Sequence, residues 1–311
     1  HLSDPHHLLI PCAASTADGA QQTLDSLALP HLAALLARLT PDTARAHWGD
    51  ENSYSSPAEV ALAHSLGLPT EDGRIPWAAW HRVQQGLGAD STAWAFITPC
   101  QWQVSTNHVT LGDPAQLALD EAASRALLGI VAPWFAEDGI ALTYDQPTRW
   151  LAQGAPLQGL ATASLQRVLC RDVRTWMPQG TDKQATRTLQ RLFSEMQMLL
   201  YTHAVNDTRA ARRQLGVNSF WISGSGALPG TFRAPTQTSL TVPRSLAQAA
   251  FSEDWAAYTQ AWAALDATEG ARLLALQQGG EAVRLSLCGE HSATDFETAR
   301  TGMLARLANF F

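Results

Sequence analysis

Lysine is almost missing from this chain. All but one of the 21 basic residues are arginine, the exception being Lys183. A Schiff-base or phosphate-gripping lysine is therefore excluded nearly everywhere, and any anion must be held by guanidinium groups. Cysteine is scarce too, with four residues at 12, 100, 170 and 288. Their wide separation excludes the paired spacings of zinc sites. Each lies in an apolar stretch and reads as a small core residue, a usage that fits a reducing cytoplasm. No run approaches the ~18 apolar residues of a membrane span, and no secretory signal pattern opens the chain. Positive charge is in deficit: the net charge is −7, which argues against a nucleic-acid groove.

What is present is apolar substance. The chain has 311 residues, 46% of them hydrophobic, and eleven tryptophans. That supports a sizeable core in one large domain or two smaller ones. Residues 7–12 read as a buried strand. Pro30 restarts a helix, and a polar loop at 47–57 leads into a helix ended by Gly67 and Pro69. Alternating stretches at 94–98, 102–104 and 108–111 predict strands. Asp113-Pro114 predicts the start of a helix running to Ala136 with a break near Pro133. Strands follow at 140–144 and 148–152. Residues 183–201 predict a long amphipathic helix. A strand at 218–223 runs into Gly224-Ser225-Gly226, residues 244–278 are helical, 283–288 form a strand, and 294–308 a last helix. Strand–helix alternation at both ends around a different middle predicts an α/β core with an inserted subdomain. In such sheets ligands sit beyond the carboxyl ends of strands. The loops after Cys12, Ser223 and Cys288 are thus the candidate places.

Several residues there carry chemistry. Ser55 and Ser56 precede a helix; Ser56 is either its N-cap or a nucleophile favoured by the helix dipole. Gly224-Ser225-Gly226 is either a tight turn or a backbone cradle for an anion. Arg171-Asp172 is either an ion pair or an arginine left to hold phosphate. Glu290-His291 at a strand end could supply a metal ligand or a base. His108 beside Asn107, and His203, read as single structural imidazoles.

Taken in order, residues 29–36, 55–62 with 66–69, 102–110, 201–209, 218–229 and 287–292 resemble the motifs of the archaeal-type cofactor-independent phosphoglycerate mutases, in the alkaline phosphatase superfamily. The chain looks similar to a bacterial offshoot of that family, the RpfE-type regulatory proteins. The resemblance implies an α/β fold: an alkaline-phosphatase-like three-layer α/β/α core of residues 1–92 and 179–311, with an inserted α+β subdomain at 93–178. It implies Ser55 or Ser56 as nucleophile with His291, and Glu290 and His291 as metal ligands; Asn107, His108 and Ser225 in those segments, with Arg171 and Asp172 outside them, are the expected ligand contacts. The departures fall on the metal cage. The first strand lacks an Asp at its end, Pro57 replaces the Asp beside the nucleophile, Glu290 replaces another, and Ser223 stands where the family has Arg. Hard cations need oxygen anions around them. The expectation is therefore a degenerate metal site in a cytoplasmic, non-catalytic or regulatory protein. It would carry no cofactor and would bind a small anionic metabolite or a protein partner, but neither nucleic acid nor membrane. The alternative is an active metal-dependent phosphomutase or phosphatase, using manganese or zinc and a phosphoserine intermediate.

Overall fold

The computed structural model describes residues 4–88, 90–169, 171–234 and 239–298; Cys170 and the expected helical residues 299–308 lie outside these. In chain order the elements begin with β1 (His6–Ile10), α1 (Ala20–Asp25), α2 (Pro30–Leu36), β2 (Leu39–Pro41), β3 (His47–Trp48) and α3 (Pro57–Leu66). Then come α4 (Trp77–Gln84), β4 (Trp94–Cys100), β5 (Trp102–Val104), β6 (Val109–Leu111), α5 (Glu121–Glu137), β7 (Ala141–Gln146) and β8 (Arg149–Gln153). Next are β9 (Leu160–Ala161), α6 (Leu165–Val168), β10 (Gln179–Gly180), α7 (Lys183–Tyr201), α8 (Ala204–Ala211) and β11 (Ser219–Gly226). The last are β12 (Leu240–Thr241), α9 (Ser245–Phe251), α10 (Trp255–Leu265), α11 (Ala271–Gln278), β13 (Val283–Cys288) and β14 (Ser292–Thr298). The protein is mixed α/β, and no helix among the described residues is long and apolar enough to cross a membrane.

The chain divides into two compact units, His1–Glu51 with Ser56–Leu66 and Ala234–Phe311, and Asn52–Ser55 with Gly67–Arg233. The sequence reading sets the borders at 92/93 and 178/179. The structure instead gives α4, α7, α8 and β11 to the second unit. The reason is packing: Leu189, Leu192, Phe193 and Met196 of α7 share one core with Ile97 and Trp150.

In the first unit, described strands pair in the order β12-β1-β13-β14-β2, with β3 also on β14. β1 is parallel to β12 and β13, while β14 is antiparallel to β13, β2 and β3. Side chains alternate across such a sheet. Leu8, Ile10 and Leu285 bury one face against α2, α9, α10 and α11. Leu9, Cys288 and Ala293 meet Ala58, Ala61 and Leu62 of α3 on the other. The unit is thus three-layered. The helix expected from Thr294 is β14 as far as Thr298. Its period of two sets Asp295 and Glu297 beside Ser286 and Arg284 in a hairpin with β13, and the further pairing with β2 and β3 overrides local helix preference.

α2 begins on Leu29, which supplies no side-chain cap. Asp266, at the head of a π-helical turn between α10 and α11, does so instead. Its carboxylate accepts the Leu32 N–H at 2.8 Å, the His31 N–H at 3.3 Å and the His31 ring Nδ1–H at 2.8 Å. Orphan N–H groups at a helix start need such an acceptor. Asp266→Ala should cost about 1–3 kcal/mol, read as a lowered urea midpoint at unchanged m. A change below ~0.5 kcal/mol would show that water replaces the carboxylate freely.

In the second unit the sheet order is β11-β4-β8-β7. α5 starts at Glu121, capped by Asp120, and passes through Pro133 without ending. Asp113, the expected cap, holds only a short 3₁₀ turn, after which Ala118 adopts a φ of 48° and stops it.

Candidate functional site

The parallel pairing of β1 with β13 brings two of the candidate loops together. The Ala13 N–H donates to the Cys288 carbonyl at 2.8 Å, and the Tyr258 hydroxyl donates to the Cys12 carbonyl at 2.8 Å. Across this junction lies Glu290. Its Oε1 accepts the Ser15 hydroxyl at 2.7 Å and the Thr16 N–H at 3.0 Å, and its Oε2 accepts the Thr16 hydroxyl. Burial works to raise this carboxyl, but the bonds from Thr16 and Ser15 and the nearby His291 outweigh it and hold it below the usual value. Glu290 is thus an ionised anchor for the 15–16 loop, with both oxygens in use. His291 is exposed, and its carbonyl accepts the Gly49 N–H at 2.7 Å. Burial and Glu290 push the Cys12 thiol up to about 11, so it is no thiolate nucleophile at neutral pH. Cys100 and Cys288 are free and fully buried, as core residues.

These donors do not fit a dinuclear manganese or zinc centre. Such a centre needs several deprotonated ligands converging on each ion. Among the described residues no group of three or more His, Cys, Asp or Glu gathers, and Glu290 already serves three other donors.

Ser55 and Ser56 fall on opposite sides of the division between the units. Ser55 is buried; its Oγ accepts the Gly73 N–H at 2.8 Å, and its own N–H donates to Asp72 at 2.8 Å. Gly73 has a φ of +70°, and a Cβ there would come within 3.0 Å of Tyr54 and Ala161. Only glycine suits that position. Ser56 Oγ accepts the Glu59 N–H at 3.2 Å, the geometry of a cap, with Pro57 in the first turn of α3. Each hydroxyl therefore has a structural task.

Four of the expected ligand contacts share one neighbourhood in the second unit. Ser105 closes the β5–β6 hairpin by donating its N–H to the His108 carbonyl at 2.9 Å, which leaves Asn107 and His108 exposed. The segment after α6 lies along β6, bridging Leu169 to Leu111 and Asp172 to Thr110. Asp172 pairs with Arg174 rather than Arg171: Arg174 Nε reaches its two oxygens at 2.9 and 3.0 Å, and Nη2 reaches Oδ2 at 2.5 Å. Those bonds hold the Asp172 carboxyl well below the ordinary range. Arg174 also donates to the Asn107 carbonyl. Arg171 is exposed, and its side chain has no partner among the described residues. The sequence reading passed over Arg174; the available signal was Asp172 two residues earlier as the cap of the turn Val173–Trp176.

Ser225 stands apart as a correction. It is fully buried inside β11, where its hydroxyl donates to the Leu160 carbonyl at 2.8 Å and lies 3.0 Å from the Thr162 hydroxyl. Gly224-Ser225-Gly226 is a bulged strand, since the register with β4 shifts between Ser223 and Gly226, and not a loop that could cradle an anion. His203 caps α8 through Nδ1, and Arg209 is buried, donating to the Leu215 and Leu117 carbonyls.

No family model and no curated protein matches the chain. Among solved structures it is similar to the cofactor-independent phosphoglycerate mutase of Thermoplasma acidophilum, at 12% identity and a TM-score of 0.37, covering 96% of this chain and 91% of that one. It is also similar to the PH0037 protein of Pyrococcus horikoshii, at 10% identity and a TM-score of 0.43, covering 96% of this chain and 89% of that one.

Proposed function

We propose that this is a phosphoglycerate-mutase-like protein whose metal site is degenerate and which binds a small anionic ligand without turning it over. The observation that carries this reading is Glu290: both oxygens of this carboxylate beyond β13 are engaged by Ser15 and Thr16, and among the described residues no group of three or more potential ligands gathers with His291. The ordered run of resembling segments supports the family; the displaced acidic residues support the loss of catalysis. The ligand contact is the hairpin neighbourhood. Asp172 neutralises and aims Arg174, while Arg171 keeps its full charge for a phosphate or carboxylate. Asn107, whose carbonyl Arg174 bonds, and the adjacent His108 complete this neighbourhood. A regulatory role in a bacterial cytoplasm, of the RpfE type, is consistent with this assignment.

Titration with 3-phosphoglycerate and with inorganic phosphate, followed by calorimetry, tests it. Binding should need no added metal, and Arg171→Gln should weaken it about tenfold, which corresponds to ~1.4 kcal/mol. Two equivalents of tightly bound manganese or zinc by elemental analysis, with mutase activity abolished by Ser56→Ala, would establish the active phosphomutase instead. Unchanged affinity in Arg171→Gln would move the ligand elsewhere.

A further inference from the structure

Between the sheet of the first unit and α3 lies a buried polar group that the proposed function does not use. His7, on β1, is 6% exposed. Its Nε2 is 2.6 Å from the Ser286 hydroxyl and its Nδ1 is 3.2 Å from the Ser65 hydroxyl of α3. Ser65 Oγ also accepts from Arg45 at 3.0 Å and donates to the Ala61 carbonyl at 3.1 Å. One neutral tautomer satisfies every partner: Ser65 gives its one hydrogen to Ala61 and accepts from Nδ1–H, while Nε2 accepts from Ser286. Both ring nitrogens are bonded with the ring neutral, and both partners are hydroxyls rather than carboxylates. The charges that act on it are the cations Arg45 and Arg284, while Asp295, opposite Ser286 on β14, is paired with both arginines. Arg45 comes from the turn after β2 and Arg284 from β13, while Ser286 and Ser65 are neutral. β12 offers Leu240 in register with His7, and the other titratable groups of α3 lie elsewhere: His64 is exposed and Glu59 sits in its first turn. Asp42, Asp295 and Glu297 are engaged by Arg284.

The two faces of this sheet are unequal. One is sealed by large side chains, among them Tyr258, Trp262 and Leu265. α3 is held by Ala58, Ala61 and Leu62 against Leu9, Cys288 and Ala293, a smaller cluster with no aromatic ring in it. A strain placed between sheet and α3 is relieved by the weaker side. We propose that His7 is a pH-sensitive latch, whose protonation releases α3, and with it the Ser56 cap at its start, from an otherwise intact sheet. Burial and the charges of Arg45 and Arg284 push the closed imidazole down to about 3. In the open state it returns to an ordinary ~6.5. The open state therefore binds the proton better, and α3 docking is full above pH 6.5 and weakens as pH falls toward 3.

Native-state hydrogen exchange of the full chain, corrected for intrinsic rates, tests this between pH 7 and pH 5, above the range where carboxylates ordinarily titrate. The opening constant of α3 amides should rise about 25-fold over that interval, while amides of α10 and β13 stay protected. In His7→Gln the rise should vanish. Equal acceleration throughout the unit, no acceleration in α3, or the same rise in His7→Gln would each overturn the latch. Should His7→Gln not fold, the wild-type ring decides: its NMR signal should stay neutral from pH 7.5 to 5, and an ordinary titration there refutes the proposal.

Discussion

Replacing Arg284 with methionine should cost about 3–5 kcal/mol of folding stability, the range for removing one partner from a buried ionic cluster. Arg284 is 8% exposed in the middle of the first unit's sheet. Its Nη1 reaches Asp42 at 3.1 Å and Asp295 at 3.3 Å, and its Nη2 reaches Glu297 at 2.7 Å. Burial acts to raise the Asp42 carboxyl, yet the Arg284 hydrogen bond and charge prevail and hold it low. Without the guanidinium, Arg45 alone faces three carboxylates, of which Asp295 is almost wholly buried. The methionine fills the volume, so the loss reports charge rather than a cavity. Lysine should not rescue it, since one ammonium cannot fork between Asp42 and Glu297. Urea unfolding is the measurement, with a shift of midpoint at constant m. A loss below ~1 kcal/mol would mean that the cluster behaves as surface ion pairs do. Replacing Arg284 and Arg45 together with Asp42, Asp295 and Glu297 by apolar residues should recover most of the loss, because a buried ion cluster is weak evidence for net stability.

This cluster also shows where sequence reading ends. Local signals were clear for elements built on near neighbours. Residues 183–201 carry an apolar stripe with a 3.6-residue period, and α7 has those bounds. Pro30 and Pro57 mark α2 and α3 because proline suits a first helical turn. β14 was not legible, since Thr294 to Thr298 becomes a strand through pairing with β13 across a turn and with β2, some 255 positions away. The site followed the same rule. That Ser56 caps a helix can be read from Ser56-Pro57 and the polar loop before it. That Glu290 is saturated cannot, because its donors are Ser15 and Thr16, some 275 positions away and brought near only by parallel pairing. Of the two readings open for Arg171-Asp172, the ion pair is the one not formed: Arg171 is nearer in sequence, but the cap geometry of the following turn turns the carboxylate toward Arg174.

Phe193→Ala is expected to cost about 3–5 kcal/mol, the range for emptying a packed aromatic site, and it decides which unit owns α7. Phe193 is 3% exposed. Its ring stacks on Phe220 of β11 with centroids 4.3 Å apart and planes 9° apart, and meets Trp102 at 5.3 Å. Phe220 in turn takes Phe135 of α5 edge-on at 5.0 Å. Aromatic pairs of this kind add ~0.5–1.5 kcal/mol beyond the area they bury, so the ladder ties α5, α7 and β11 to one core. The exposed Met198 on the same helix is the control, and Met198→Ala should stay within about 0.5 kcal/mol of the parent. Hydrogen exchange locates the damage. In Phe193→Ala, protection should fall in β4, β8 and β11 while β1 and β13 keep theirs. The boundary drawn from sequence, with residues 179–311 in one piece with β1, makes the reverse prediction: β1 and β13 would loosen first, and that result would return α7 to the first unit.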